Sequence, residues 1–150
     1  MASVHDVAAY ILLKGGPMTA MKLQKLSYFS YAYHMAWEEQ QLFPERFEAW
    51  ANGPVAPDLY GQHRGQFQLK AGDVEGDPTS LADDERESVD VVLENFMVHS
   101  ARELSAMTHA EGPWVQARER AGATGLDRSN EELRDEEIQE YFGALVSVGE

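Results

Sequence analysis

Hydrophobic residues recur at helical spacing from the start of the chain, where Val4, Val7, Ala8, Ile11 and Leu12 fall on one face. Ser3, with Asp6 three positions on, forms a capping-box pattern ahead of them, and Gly15, Gly16 and Pro17 stop the helix. Thr19 is placed to cap a second helix, Ala20 to about Gln40, with no Gly or Pro inside it. Leu23, Leu26, Tyr33 and Trp37 trace one stripe there, while Tyr28, Phe29, Tyr31 and Met35 add apolar bulk on its other sides. A helix apolar nearly all round is wrapped by others, so this segment is predicted to be the central one.

The middle is irregular. "RFEAWA" and "QFQLK" alternate in period two and predict short strands, with Gly53-Pro54 and Pro57 breaking the chain between them. Asp58 is placed to cap a single helical turn around Leu59 and Tyr60, and residues 71–80 form a loop rich in Gly, Pro and Asp. Helical spacing then returns: Val89, Val92, Leu93, Phe96 and Met97 define a helix from about Asp83, and Ser100 with Glu103 opens another through Leu104 and Met107. Pro113 suits the first position of a short helix carrying Trp114 and Ala117. Asp135 is expected to cap a last helix, whose apolar stripe is Ile138, Phe142 and Leu145. The predicted fold class is mainly α (α+β): a central long helix wrapped by helices, with a small sheet of short strands.

At 150 residues, 43% of them hydrophobic, the chain is expected to form one domain over residues 1–150 with a real core. Cysteine is absent, which removes disulfides, thiolate metal sites and cysteine nucleophiles and fits a reducing compartment. His5 and Asp6 sit where a signal peptide would carry positive charge, and no apolar stretch approaches the ~18 residues of a membrane span. A cytoplasmic location is therefore expected. The net charge of −14 is one-sided: residues 1–70 balance at six Lys/Arg against six Asp/Glu, whereas residues 71–150 carry six against twenty. Such a surface repels phosphate backbones, so no direct nucleic-acid contact is expected; it either favours a basic partner or serves solubility alone.

Catalytic patterns are missing. His5, His34, His63, His99 and His109 show no HExxH spacing, so no metal site and no cofactor is expected, and His109 is expected to hydrogen-bond around the Glu111-Gly112-Pro113 turn. No serine has a G-x-S-x-G setting, no phosphate-binding glycine loop occurs, and the acids crowded near Asp135 complement a helix start. The chemistry-bearing residues gather instead in "FEAWANGPVAPDLYGQHRG". Phe47, Ala49 and Ala51 alternate with Glu48 and Trp50, which turns Trp50 away from the core. Asn52-Gly53 tolerates left-handed backbone, and Pro54 and Pro57 stiffen the chain beyond it, giving a rigid loop that displays Trp50, Tyr60 and His63. Those aromatics either anchor a protein interface or pack on the central helix. Lys22 and Lys25, three apart on that helix, either pair with the acidic half or line a groove.

Four segments together resemble one family. "MKLQKLSYFSYAYHMAW" is similar to a K-L-Q-K-L-x-Y signature, "FEAWANGPVAPDLY" to A-W-x-x-G-P-V-x-P-x-x-Y, "LSAMTHAEGPWVQAR" to L-S-x-x-T-H-x-x-x-P-W, and "IQEYF" to a closing helix. The set, in this order over nearly the whole chain, resembles the Panacea domain family, the SocA-like antitoxins, many of them phage-associated. The matching positions are Lys22, Leu23, Gln24, Lys25, Leu26 and Tyr28; then Ala49, Trp50, Gly53, Pro54, Val55, Pro57 and Tyr60; then Leu104, Ser105, Thr108, His109, Pro113 and Trp114.

The resemblance implies helices around a small sheet, no catalytic activity, and neutralisation by binding of a protein toxin encoded by the neighbouring gene. It implies toxins of diverse kinds, tRNA-modifying and alarmone-synthetase-like enzymes among them, and one branch that delivers its toxin to a ClpXP-type protease. Members often carry an added DNA-binding segment; this chain starts almost directly at the domain, so none is expected. Gly53, Pro54, Pro57, Thr108, His109, Pro113 and Trp114 are expected to hold the fold, and Lys22, Lys25, Tyr28, Trp50, Asn52, Tyr60 and His63 to border the toxin. The competing readings are a proteolytic adaptor and a small hydrolase using His109 or His63.

Overall fold

The computed structural model describes residues 1–110 and 112–148. Among them the chain forms α1 (Val4–Gly15), β1 (Met18–Thr19), α2 (Ala20–Glu38), β2 (Glu48–Trp50), β3 (Gly53–Val55), α3 (Pro57–His63), β4 (Gln68–Leu69), α4 (Asp83–Phe96), α5 (Ala101–Met107), α6 (Pro113–Ala121) and α7 (Asp135–Val148). The mainly α architecture is as the apolar spacing predicts.

Local signals set most helix ends. Ser3 Oγ accepts from the Asp6 N–H at 3.1 Å while the Asp6 carboxylate accepts from the Ser3 N–H at 3.0 Å, and Gly16, at φ 80°, closes α1. Thr19 caps α2 through the Lys22 N–H, and Ser100 with Glu103 caps α5 reciprocally. Two expected caps differ. Asp58 is not the cap of α3 but lies in its first turn, after Ala56 and Pro57, where its charge still suits the helix dipole. Asp135 is the first residue of α7, and its carboxylate accepts instead from the Tyr31 hydroxyl at 2.7 Å and Gln41 at 2.8 Å.

Helix α2 is the axis of the molecule, with α1, α4, α5 and α7 packed around it. Leu23, Leu26, Ala32 and Ser30 are fully enclosed, and Tyr28 is 1% exposed. Tyr28 meets Phe29, Phe47 and Phe142 edge-on at 5.3–5.9 Å, and Phe29 stacks on Phe96 at 4.9 Å. An apolar surface on every side of one helix can be covered only by neighbours on every side, which is why the chain wraps it.

The strands form two separate antiparallel pairs, not one sheet. β2 pairs with β3, Glu48 opposite Val55 and Trp50 opposite Gly53, while β1 pairs with β4 at the foot of α2. The Gly53-Pro54 segment thus continues as a strand where the sequence reads as a break. Pro54 is tolerated because its partner Ala49 makes no ladder bond to it: the Ala49 N–H donates to the Glu131 carbonyl at 2.9 Å, and the Ala49 carbonyl accepts from Arg118 at 2.9 Å.

Candidate binding pocket beside the hairpin

The β2–β3 hairpin lies over the first half of α2, with α3 facing it, and between them opens a pocket of about 380 Å³. Gln24 builds its base. Its Oε1 accepts from the Ala56 N–H at 2.9 Å and its Nε2 reaches the Ala56 carbonyl at 3.3 Å and His63 Nε2 at 2.9 Å. Because the Gln24 amide donates, His63 Nε2 accepts, which leaves the ring proton on Nδ1. Burial first, and Lys25 after it, push the His63 pKa down, so the ring stays neutral at neutral pH.

Lys25, 1% exposed, lies against the turn at Gly53 and donates to the Pro54 carbonyl at 2.9 Å. Among the described residues this is its single acceptor, and no carboxylate pairs with it. Desolvation lowers its pKa to about 7. Trp50 and Tyr60 form an aromatic wall, their rings edge-on at 4.9 Å. Trp50 is held at both ends: its indole N–H donates to Glu48 at 2.9 Å and its carbonyl accepts from Trp114 Nε1 at 2.8 Å. At the mouth, Met21 is 41% exposed, and Phe67, next to the lining residue Gln66, is 79% exposed.

The geometry sorts the residues singled out from the sequence. Lys25, Trp50, Asn52, Tyr60 and His63 line this one pocket. Lys22 does not; its ammonium donates to the Met97 carbonyl at 2.7 Å, so it meets the acidic half through backbone, and among the described residues neither lysine forms an ion pair with an acidic side chain. Tyr28 lies in the core with no surface to offer. Gly53 sits at φ 123° against Lys25 and Thr108, while Pro57 and Pro113 open α3 and α6. Thr108 Oγ1 donates to the Ser105 carbonyl at 2.7 Å. The turn that His109 is expected to serve includes Glu111, which lies outside the described residues. His109 stacks on Trp114 at 4.1 Å and faces Ser105 Oγ at 3.5 Å, because the Ser105 hydroxyl is itself committed to the Asn52 carbonyl.

Arg118, which no sequence motif singles out, is 4% exposed and lies over the Trp114 ring at 5.0 Å. It ties β2 to the loop after α6, donating to the carbonyls of Ala49, Gly125 and Asp127. A weaker signal is present: Trp114 and Arg118 are four apart and so share a helix face with Ala117. Arg128 and Met21, also at the pocket, leave no comparable trace. Arg118→Met keeps the packing but strands the buried Ala49 carbonyl, while water can reach the other two, which belong to exposed residues. The expected loss is about 2 kcal/mol of unfolding free energy, read by urea denaturation.

Among the described residues no three of His, Asp and Glu are grouped to hold a metal ion, and neither His63 nor His109 has a carboxylate partner to orient it. No helix among them is long and apolar enough to cross a membrane. The fold and site together define a helical domain wrapped on one central helix, with a hairpin-walled surface pocket. The family model for the antitoxin SocA-like, Panacea domain matches residues 23–115, and the chain belongs to that family. The matched span runs from α2 into α6 and takes in Gln24, Lys25, Trp50, Tyr60 and His63. No curated protein and no solved structure gives a significant match.

Proposed function

We propose that the protein is an antitoxin of a toxin–antitoxin pair, acting in the cytoplasm, that neutralises the toxin of the neighbouring gene by binding it directly. The family match carries this reading. The pocket mouth supports it: the half-exposed Met21 shares the lining with the braced Trp50 and Tyr60, the exposed Phe67 follows the lining residue Gln66 in the chain, and rigid aromatics lose little entropy on binding. The partner that suits a chain of net charge −14 is a basic protein, of the tRNA-modifying or alarmone-synthetase-like kind that the family resemblance implies.

Co-expression with the adjacent reading frame, with a tag on its product, tests the proposal through growth and co-purification. Rescue with a stable complex is expected, also in cells lacking ClpXP; neither rescue nor complex would sink it, and rescue that needs the protease would replace it with an adaptor. Phe67→Asp is the matching variant. Its ring is exposed, so stability should stay within about 0.5 kcal/mol, while the toxin complex should weaken at least about tenfold. Unchanged affinity on calorimetric titration would move the interface elsewhere.

A further inference from the structure

The charge of the pocket runs against that of the chain. The protein carries 26 Asp and Glu, yet among the described residues none of the side chains lining this pocket is acidic. Its lining instead includes Lys25, His63 and, at the exposed mouth, Arg128. An ammonium can donate three hydrogen bonds, and Lys25 uses one, to the Pro54 carbonyl. A buried cation with donors to spare, in a concave site with aromatic walls, has the make-up of an anion subsite.

We infer that this pocket binds a carboxylate carried on a flat apolar or aromatic body, with the acid group at Lys25 and the body against Trp50 and Tyr60. A single negative charge suits the site better than a phosphate dianion, because one lysine offsets the desolvation of one charge and leaves the second unpaired. The chemistry has two sources, a free carboxylic acid or the C-terminal residue of a polypeptide. The inference does not depend on the antitoxin reading, since its test uses the protein alone.

Binding should be linked to pH. An anion beside Lys25 favours its charged form, so the complex takes up a proton above pH 7. Among the described residues the titratable and charged groups facing Lys25 are His63 from α3 and His109 just after α5, with Arg118 of α6 beyond His109; none of these is acidic. Both histidines have lowered pKa values and stay neutral across that range, so they add no slope there.

The experiment titrates the protein with N-acetyl-phenylalanine and with its C-terminal amide, following tryptophan fluorescence and heteronuclear NMR shifts. The acid should bind at least about tenfold tighter than the amide, and its affinity should fall about tenfold between pH 7.5 and 8.5. Lys25→Met, which keeps the volume, should lose the acid's advantage, with its fold confirmed by circular dichroism. Phenylacetate binding tighter than a tripeptide ending in free phenylalanine would identify a free acid; the reverse would identify a chain terminus. Acid and amide binding alike to the wild-type protein would overturn the inference, and so would inorganic phosphate binding where neither acid does. The acid–amide comparison needs no variant, so a misfolded Lys25→Met protein leaves the test intact.

Discussion

Gly53→Val is expected to cost about 4 kcal/mol of folding stability, enough to leave much of a marginally stable domain unfolded at 37 °C. Two terms add. Gly53 holds φ at 123°, a region that costs a side-chain-bearing residue about 1–3 kcal/mol. A Cβ there would also stand 2.7 Å from Lys25 Cε, with Lys25 Nζ and Thr108 Oγ1 both at 3.3 Å. A lysine tip normally swings aside, but Lys25 is 1% exposed and bound to Pro54, so relief means overpacking a closed corner, about 1–3 kcal/mol more. Urea denaturation should show the midpoint falling with an unchanged slope. Gly61→Ala in α3 is the control: nothing lies within 4 Å of its added Cβ, and a gain of about 0.5–1 kcal/mol is expected. A Gly53→Val protein as stable as wild type would mean that the hairpin and Lys25 can part without cost.

Folding stability should rise by about 2 kcal/mol between pH 7 and pH 9, and Lys25→Met should remove most of that rise. Lys25 has a pKa of about 7 in the folded chain against 10.5 for the free side chain. The unfolded chain therefore holds the proton through this window while the folded chain has released it, and stability climbs with pH at up to about 1.4 kcal/mol per unit. Below pH 7 both states are charged at this site and the slope vanishes. Above about pH 10 the tyrosines oppose it: burial pushes Tyr10 up to about 12 and raises Tyr28 and Tyr31, so their folded forms resist ionisation that the unfolded chain undergoes. Urea melts of both proteins at half-unit steps from pH 6.5 to 9.5 make the comparison. Parallel curves would show that Lys25 keeps an ordinary pKa in the folded chain.

The helices were legible because their signals are local. Ser3 with Asp6, Thr19 and Ser100 with Glu103 each mark a start within one turn of chain, and the apolar period marks the buried face. The strands were half legible. Alternation found β2 and β4, but their partners β3 and β1 are a Gly-Pro-Val stretch and two residues ahead of a helix, too short to show a period. A cap can also be outbid from a distance, as Asp135 shows by turning to Tyr31, 104 residues away.

For the site, residue type pointed to the right corner and left its depth open. Trp50, Tyr60 and His63 share the pocket with Lys25, whereas Tyr28, three positions beyond Lys25 and equally polar at its tip, is enclosed in the core. Spacing on a helix apolar all round does not say which face meets solvent, because that depends on what packs there.

The sequence by itself determined the helical class, the central place of α2, the caps of α1, α2 and α5, the lack of cysteine chemistry and the family, all carried by neighbouring residues or by composition. Only the tertiary structure decided that β2 pairs with β3, that Arg118 clasps the hairpin, and that Lys25 lies beside Gly53 with one acceptor and no acid. Those relations join residues dozens of positions apart. Chain closure over such distances is governed by the summed packing of the core, which no local pattern encodes.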